Sequence, residues 1–242
     1  FHFETRILAT GGVVAGVVQG DLILAGGGDP TLDTDALAGL AAKLAEAGVT
    51  GVKGRFLVWG GALPEMRDID PLQPDHVGYN PAVSGLNLNF NRVHFAWKRA
   101  GAGWNVAMDA RSDKYRPDVR VSRMDVVNRK VPIYTYEDLG GADQWTVASG
   151  ALGNGGSRWL PVRKPAAYAG EVFQILARVQ GISLSAPDAA MGTPDGTVLC
   201  EVQSPPLRTI LKDMLKYSTN VTAEAVGLST TVALGLRPGS LE

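Results

Sequence analysis

The sequence predicts a mixed α+β fold in which a β-rich module interrupts an α/β framework. Three observations lead there. Residues 3–59 pass from strand-like to helix-like periodicity and back, residues 60–164 switch to short alternating runs broken by Pro and Gly, and residues 165–242 return to helical spacing.

Two strands are expected at 3–9 and 16–25, joined as a hairpin by Gly11-Gly12. Gly26-Gly27-Gly28-Asp29-Pro30 stops the second strand, since proline takes a donor out of the ladder. These glycines lack the G-x-G-x-x-G spacing and no Lys-Ser/Thr pair follows them. They read as a turn, not a phosphate cradle, with Asp29 as a turn residue. Leu37, Leu40, Ala41 and Leu44 then recur at helical spacing, with Asp33 or Thr34 placed to cap the start and Gly48 the end. Residues 52–59 read as the next strand.

Within 60–164, strands are expected at 86–90, 93–97, 119–121 and 145–147. Residues 167–181 form a helix with Val172, Phe173, Leu176 and Val179 on one face, and 181–184 a strand. Pro205-Pro206 opens a helix whose Leu207, Ile210, Leu211, Met214 and Leu215 make an apolar stripe. A last helix carries Val221, Ala225, Leu228 and Val232 to about Gly235, and Leu241-Glu242 reads as an added tail.

Composition narrows the function classes. With 23 basic and 24 acidic residues the net charge is −1, which gives no support to nucleic-acid or membrane-surface binding. No apolar run approaches the roughly 18–20 residues that cross a bilayer. Cys200 stands alone, so no intrachain disulfide forms. His2, His76 and His94 have no metal-ligand spacing, no cofactor is called for, and G-x-S-x-G is absent. His94 reads as a partly exposed sheet residue. Phe1 to Arg6 looks like mid-strand sequence, so the chain reads as a piece of a longer protein.

The chemistry-bearing feature is Ser218-Thr219-Asn220, a Ser-x-Asn step between two helical segments. As a structural element it is a helix–helix junction capped by two good capping residues. As a functional one it sets a hydroxyl beside a carboxamide. Asn220-Val221-Thr222 also fits the glycosylation pattern, which carries little weight at a helix start.

Several segments, in order, give the chain a family likeness: residues 3–6 (FETR), 20–32 (GDLILAGGGDPTL), 79–91 (YNPAVSGLNLNFN), 165–171 (PAAYAGE), 178–182 (RVQGI) and 204–220 (SPPLRTILKDMLKYSTN). Together they resemble the low-molecular-weight class C penicillin-binding proteins, the D-alanyl-D-alanine carboxypeptidase/endopeptidases of bacterial cell-wall metabolism. The resemblance covers nearly the whole chain. It implies β-rich nested insert domains joined to part of the helical side of a β-lactamase/transpeptidase-like domain. On that implication residues 1–59 and 165–198 form an outer insert domain, 60–164 a nested β-rich insert, and 199–242 the helical part of the catalytic domain.

The resemblance also implies a serine-type hydrolase, periplasmic, with peptidoglycan stem peptides as substrates and β-lactams as inhibitors. Ser218 and Asn220 become the catalytic pair, Lys216 supports the helix end, and Asp75 and Tyr79 on an exposed loop contact the substrate side chain. Two of the family's three motifs are missing. No serine has a lysine three residues on, and Lys-Thr-Gly and His-Thr-Gly are absent. The chain alone is therefore expected to be inactive. The alternative is a catalytically inactive relative that binds peptidoglycan or a partner.

Overall fold

The computed structural model describes residues 1–236, which leaves the tail reading at Leu241-Glu242 outside the described residues. The chain opens with β1 (Glu4–Ala9), a small hairpin of β2 (Val13–Val14) and β3 (Val17–Val18), then β4 (Leu22–Gly26), α1 (Thr34–Glu46), β5 (Gly51–Val52) and β6 (Phe56–Trp59). After a long loop come β7 (Arg92–Ala100), β8 (Gly103–Asp109), β9 (Ser122–Val127), β10 (Tyr134–Asp138), β11 (Asp143–Ala148) and β12 (Gly155–Pro161). The chain then returns through α2 (Pro165–Val179), β13 (Asp188–Ala189), β14 (Thr197–Gln203), α3 (Leu207–Tyr217) and α4 (Asn220–Ala233). The fold is mixed α+β.

The framework is a five-stranded sheet in the order β13-β6-β4-β1-β14, antiparallel about β1 and parallel between β4, β6 and β13. Its pleat sorts the side chains. Ile7, Leu22, Leu24, Phe56 and Val58 face the helices, while Leu8, Ile23 and Leu57 form a small cluster on the other side. α1 and α2 cover the first face with Leu37, Leu40, Leu44, Val172 and Phe173, all buried. Asp33 caps α1 by accepting from Ala36 N at 2.7 Å, and Pro165 starts α2. Gly170 lets α2 approach β6, because a Cβ there would lie 2.6 Å from Val58.

The β-rich segment builds two three-stranded sheets, β12-β7-β8 and β10-β11-β9. Its core is continuous with that of the framework, through Phe95, Met108, Trp145 and Leu160.

Several expected elements differ in detail. The 16–25 strand is divided, because Asp21 leaves the ladder: its backbone N–H donates to Thr10 Oγ1 at 2.8 Å and its carboxylate accepts from Arg55 N at 2.7 Å. Ala15 and Gly16 (φ 49 and 80) make the tight turn between β2 and β3, in addition to the Gly11-Gly12 bend. The 52–59 strand is likewise split, with Lys53 and Gly54 turning back to Val18 O and Gly20 O. Residues 119–121 and 181–184 form no strand; each region has a single isolated bridge, at Asp118 and Ser183. Val179 shares the helix face of Val172 but is the last residue of α2, and it is 72% exposed. His94 is buried, edge-on to Trp159 and 3.7 Å from Asp109. Residues 86–90 are not a strand, and what replaces them shapes the site.

Candidate active-site wall

The Ser-x-Asn step is a sharp helix-to-helix reversal. Ser218 is the C-cap of α3 and adopts the left-handed conformation (φ 52, ψ 50), a position usually held by Gly or Asn. A serine there costs about 1–2 kcal/mol of backbone strain, and such strain concentrates at functional sites. Thr219 is extended, and Asn220 begins α4. The reversal leaves Ser218 and Asn220 exposed on one side while Val221, Ala225 and Leu228 anchor α4 against Leu63, Met66 and Val83.

Opposite them stands a loop that buried polar groups hold rigid. Arg163, only 3% exposed, donates to Arg67 O at 2.9 Å, Asp75 O at 2.9 Å and Asn80 O at 2.7 Å. The Asn80 carboxamide accepts from Ile69 N and Asp70 N and donates to Asp70 O, each at 2.8 Å. The loop thus fixes Tyr79, whose carbonyl accepts from Asn220 Nδ2 at 3.1 Å. That bond uses one amide N–H, and among the described residues the carboxamide oxygen and the second N–H have no partner and are open to a ligand.

The third wall is a turn of consecutive left-handed residues, Asn89, Phe90 and Asn91 (φ 51, 57 and 50). Asparagine tolerates this region, and its short amide satisfies the displaced backbone. Asn89 Oδ1 accepts from Thr34 N at 3.1 Å, Asn91 Oδ1 accepts from Leu88 N at 3.0 Å, and Asn91 Nδ2 donates to Ala82 O at 2.8 Å. The turn places Phe90 and Arg92 beside α4.

These walls enclose a cavity of about 190 Å³ lined by Tyr79, Phe90, Arg92, Tyr217, Ser218 and Asn220, among others. Of the residues singled out in the sequence, Ser218, Asn220 and Tyr79 come together here. Asp75 does not line the cavity; its carboxylate lies 3.2 Å from Arg67 and 4.0 Å from Arg163. Lys216 also lies outside, in the last turn of α3 with its ammonium 4.8 Å from the Tyr217 ring. Phe90, Arg92 and Tyr217 were not foreseen. The available signal was Asn at 87, 89 and 91, a spacing that passes for strand alternation but recruits the residue type most at home at positive φ.

The electrostatics of the wall are set by burial. Arg92 is held below the ordinary arginine range, and the Glu224 carboxyl, one turn along α4 from Asn220, is raised. Among the described residues no group of three or more His, Cys, Asp or Glu side chains is placed to hold a metal.

The family model for D-Ala-D-Ala carboxypeptidase 3 (S13) matches residues 1–242. Two crystal structures of penicillin binding protein 4 from Haemophilus influenzae are similar to this chain. One, at 21% identity and a TM-score of 0.75, is matched over 99% of this chain and 54% of its own. The other, complexed with a novel β-lactam, is matched at 20% identity and a TM-score of 0.66 over 93% of this chain and 49% of its own. The chain thus spans about half the length of these structures, and at this identity the likeness is one of fold.

Proposed function

The chain belongs to the D-Ala-D-Ala carboxypeptidase 3 family, and we propose that it supplies one wall of the active site of a serine-type D-alanyl-D-alanine carboxypeptidase/endopeptidase acting on peptidoglycan peptides in the bacterial periplasm. The observation that carries this reading is the strained Ser218 cap, which presents its hydroxyl beside the Asn220 carboxamide to one cavity.

In the complete protein the reaction is acyl transfer. A serine oxygen attacks the carbonyl carbon of the penultimate D-alanine, the bond to the terminal D-alanine breaks, the leaving amine takes up a proton, and water then releases the acyl-enzyme. Ser218 relays the proton, and Asn220 holds the peptide backbone through its free oxygen and N–H. Tyr79 borders the substrate side chain. Asp75 acts on the cavity only through the loop it shares with Arg67, and Lys216 supports the end of α3 by its charge. The nucleophile, its lysine and the Lys-Thr-Gly strand are not in these 242 residues, so the chain alone is inactive on this reading. Among the described residues no helix is long and apolar enough to cross a membrane. The division into 1–59 with 165–198, 60–164 and 199–242 is proposed with the function, with the β14–β1 pairing tying the third part to the first. The β-lactam complex of the Haemophilus influenzae protein supports β-lactams as inhibitors.

Fluorescent penicillin should label the complete protein covalently and leave the 242-residue chain unlabelled. Asn220→Ala in the complete protein should slow acylation by roughly a hundredfold or more, the scale of losing one positioned hydrogen-bonding group, with the unfolding midpoint nearly unchanged. Robust labelling of the 242-residue chain, or normal acylation per folded Asn220→Ala molecule, would sink the reading.

A further inference from the structure

We propose that Arg92 is the anion-binding residue of this cavity, taking a carboxylate of the peptide that Ser218 and Asn220 hold. The inference rests on the proposed function above and assigns ligand chemistry to the wall facing the Ser-x-Asn step.

Arg92 opens β7 directly after the left-handed turn and lines the same cavity as Ser218 and Asn220. Its guanidinium carbon lies 5.2 Å from the Phe90 ring centroid and 5.4 Å from that of Trp159. Two aromatic rings steer a guanidinium plane, but neither offers a carboxylate-like acceptor. Arg92 Nε is buried and has no hydrogen-bond partner among the described residues. Asp68 and Asp75 pair with Arg67 at 2.5 and 3.2 Å and Asp109 with Arg111 at 2.6 Å, and among the described residues no carboxylate, Glu224 included, forms an ion pair with Arg92. Burial alone accounts for the depressed pKa of Arg92, with no acid acting against it.

Arg163 is the internal control. Its Nε is likewise buried without a partner, yet its Nη atoms reach three backbone carbonyls, whereas among the described residues the Arg92 guanidinium makes no side-chain hydrogen bond. A half-buried guanidinium left without an acceptor is unfavourable, and here that cation faces open space next to two groups suited to peptide. Arginine's planar fork matches a carboxylate with two parallel hydrogen bonds. The cavity's 190 Å³ admits a side chain or chain end of that kind. The two walls then divide the ligand: neutral hydrogen-bonding groups for the backbone on one, a cation for the anion on the other.

Three D-alanyl-D-alanine peptides test this: one with a free side-chain carboxylate and a free C-terminus, one with the side chain as carboxamide, and one with the C-terminus as carboxamide. Binding to the chain is followed by NMR through the Asn220 side-chain amide. One of the two amidations should weaken binding roughly tenfold or more, the scale of a charge-assisted hydrogen bond, and which one does so identifies the source of the carboxylate. Arg92→Gln should abolish that discrimination, bringing the ratio close to one. In the ligand-free chain Arg92→Met should raise Tm, because an unpaired half-buried cation is removed. If Asn220 responds but Arg92→Gln discriminates as wild type does, or if Arg92→Met lowers Tm, the guanidinium is a stacking element and the inference fails while the Ser-x-Asn reading stands. If no peptide shifts Asn220, this wall takes no peptide and the inference fails, while the Ser-x-Asn reading is decided by penicillin labelling of the complete protein.

Discussion

α1 with α2, and α3 with α4, carry the same kind of sequence signal and meet different fates. In the first pair the apolar stripe is buried: Leu37, Leu40, Leu44, Val172 and Phe173 are inaccessible to solvent. In α3 the stripe is at least as clear, yet among the described residues only Ile210 of that helix is buried, and Leu215 is 77% exposed. Amphipathic spacing names the face a helix offers; whether the face is covered depends on what lies against it. α4 sits between the two cases, since one side packs on Leu63, Met66 and Val83 while its start faces the cavity. The framework positions, and the α3–α4 reversal presents.

The largest expected effect tests that contrast directly. Phe173→Ala should cost about 3–5 kcal/mol of stability, the usual range for truncating a buried phenylalanine, whereas Leu215→Ala should stay within about 0.5 kcal/mol. Urea unfolding measures both. Comparable losses would mean that α3 is packed in solution as firmly as α2 and would break the comparison.

The same contrast explains what could be read from the sequence. β1, α1, α2, β7 and β11 announce themselves because local periodicity and burial coincide there. Residues 86–90 do not, because asparagine at alternate positions imitates a strand while its real asset is tolerance of positive φ. β12 pairs with β7 through distant partners such as Gly155 and Lys98, so no short window reports it, whereas β8 and β10 are local hairpin partners of β7 and β11 that bury few of their residues. At the site, Ser218 and Asn220 were readable because the motif is contiguous. Tyr79, Phe90 and Arg92 lie over 120 residues earlier and reach the cavity only through tertiary return, and of these only Tyr79 was foreseen, through family likeness.

A middle-sized effect concerns the loop that joins the two regions. Arg163→Met removes the donor to three carbonyls inside the protein. It should cost about 3 kcal/mol, since unsatisfied buried acceptors carry their full desolvation penalty. Hydrogen exchange across residues 67–80 should rise more than across α3, placing this loop with the framework. Unchanged exchange there would mean that Asn80, through its bonds to Ile69, Asp70 and their neighbours, holds the loop alone.

The smallest effect is a pH dependence that arises in the β-rich segment, at His94 on β7. His94 is buried against Trp159, and burial, with Arg111 nearby, holds its pKa below the ordinary histidine value; Asp109 pulls weakly the other way. The unfolded chain therefore binds the proton more readily than the folded one. Stability from this group is fully present above the unfolded pKa of about 6.5 and is lost as pH falls through the folded value. His94→Gln should flatten the decline between about pH 7 and 5, by an amount on the order of 1 kcal/mol or less. His76, also lowered chiefly by burial, leaves a residual slope. The wild-type minus His94→Gln difference isolates the group from the buried carboxyls of Asp29 and Asp143, whose raised pKa values act with the opposite sign. A difference that stays constant with pH would mean that His94 is as solvated as a surface histidine, and the burial that ties β7 to β12 would have to be revised.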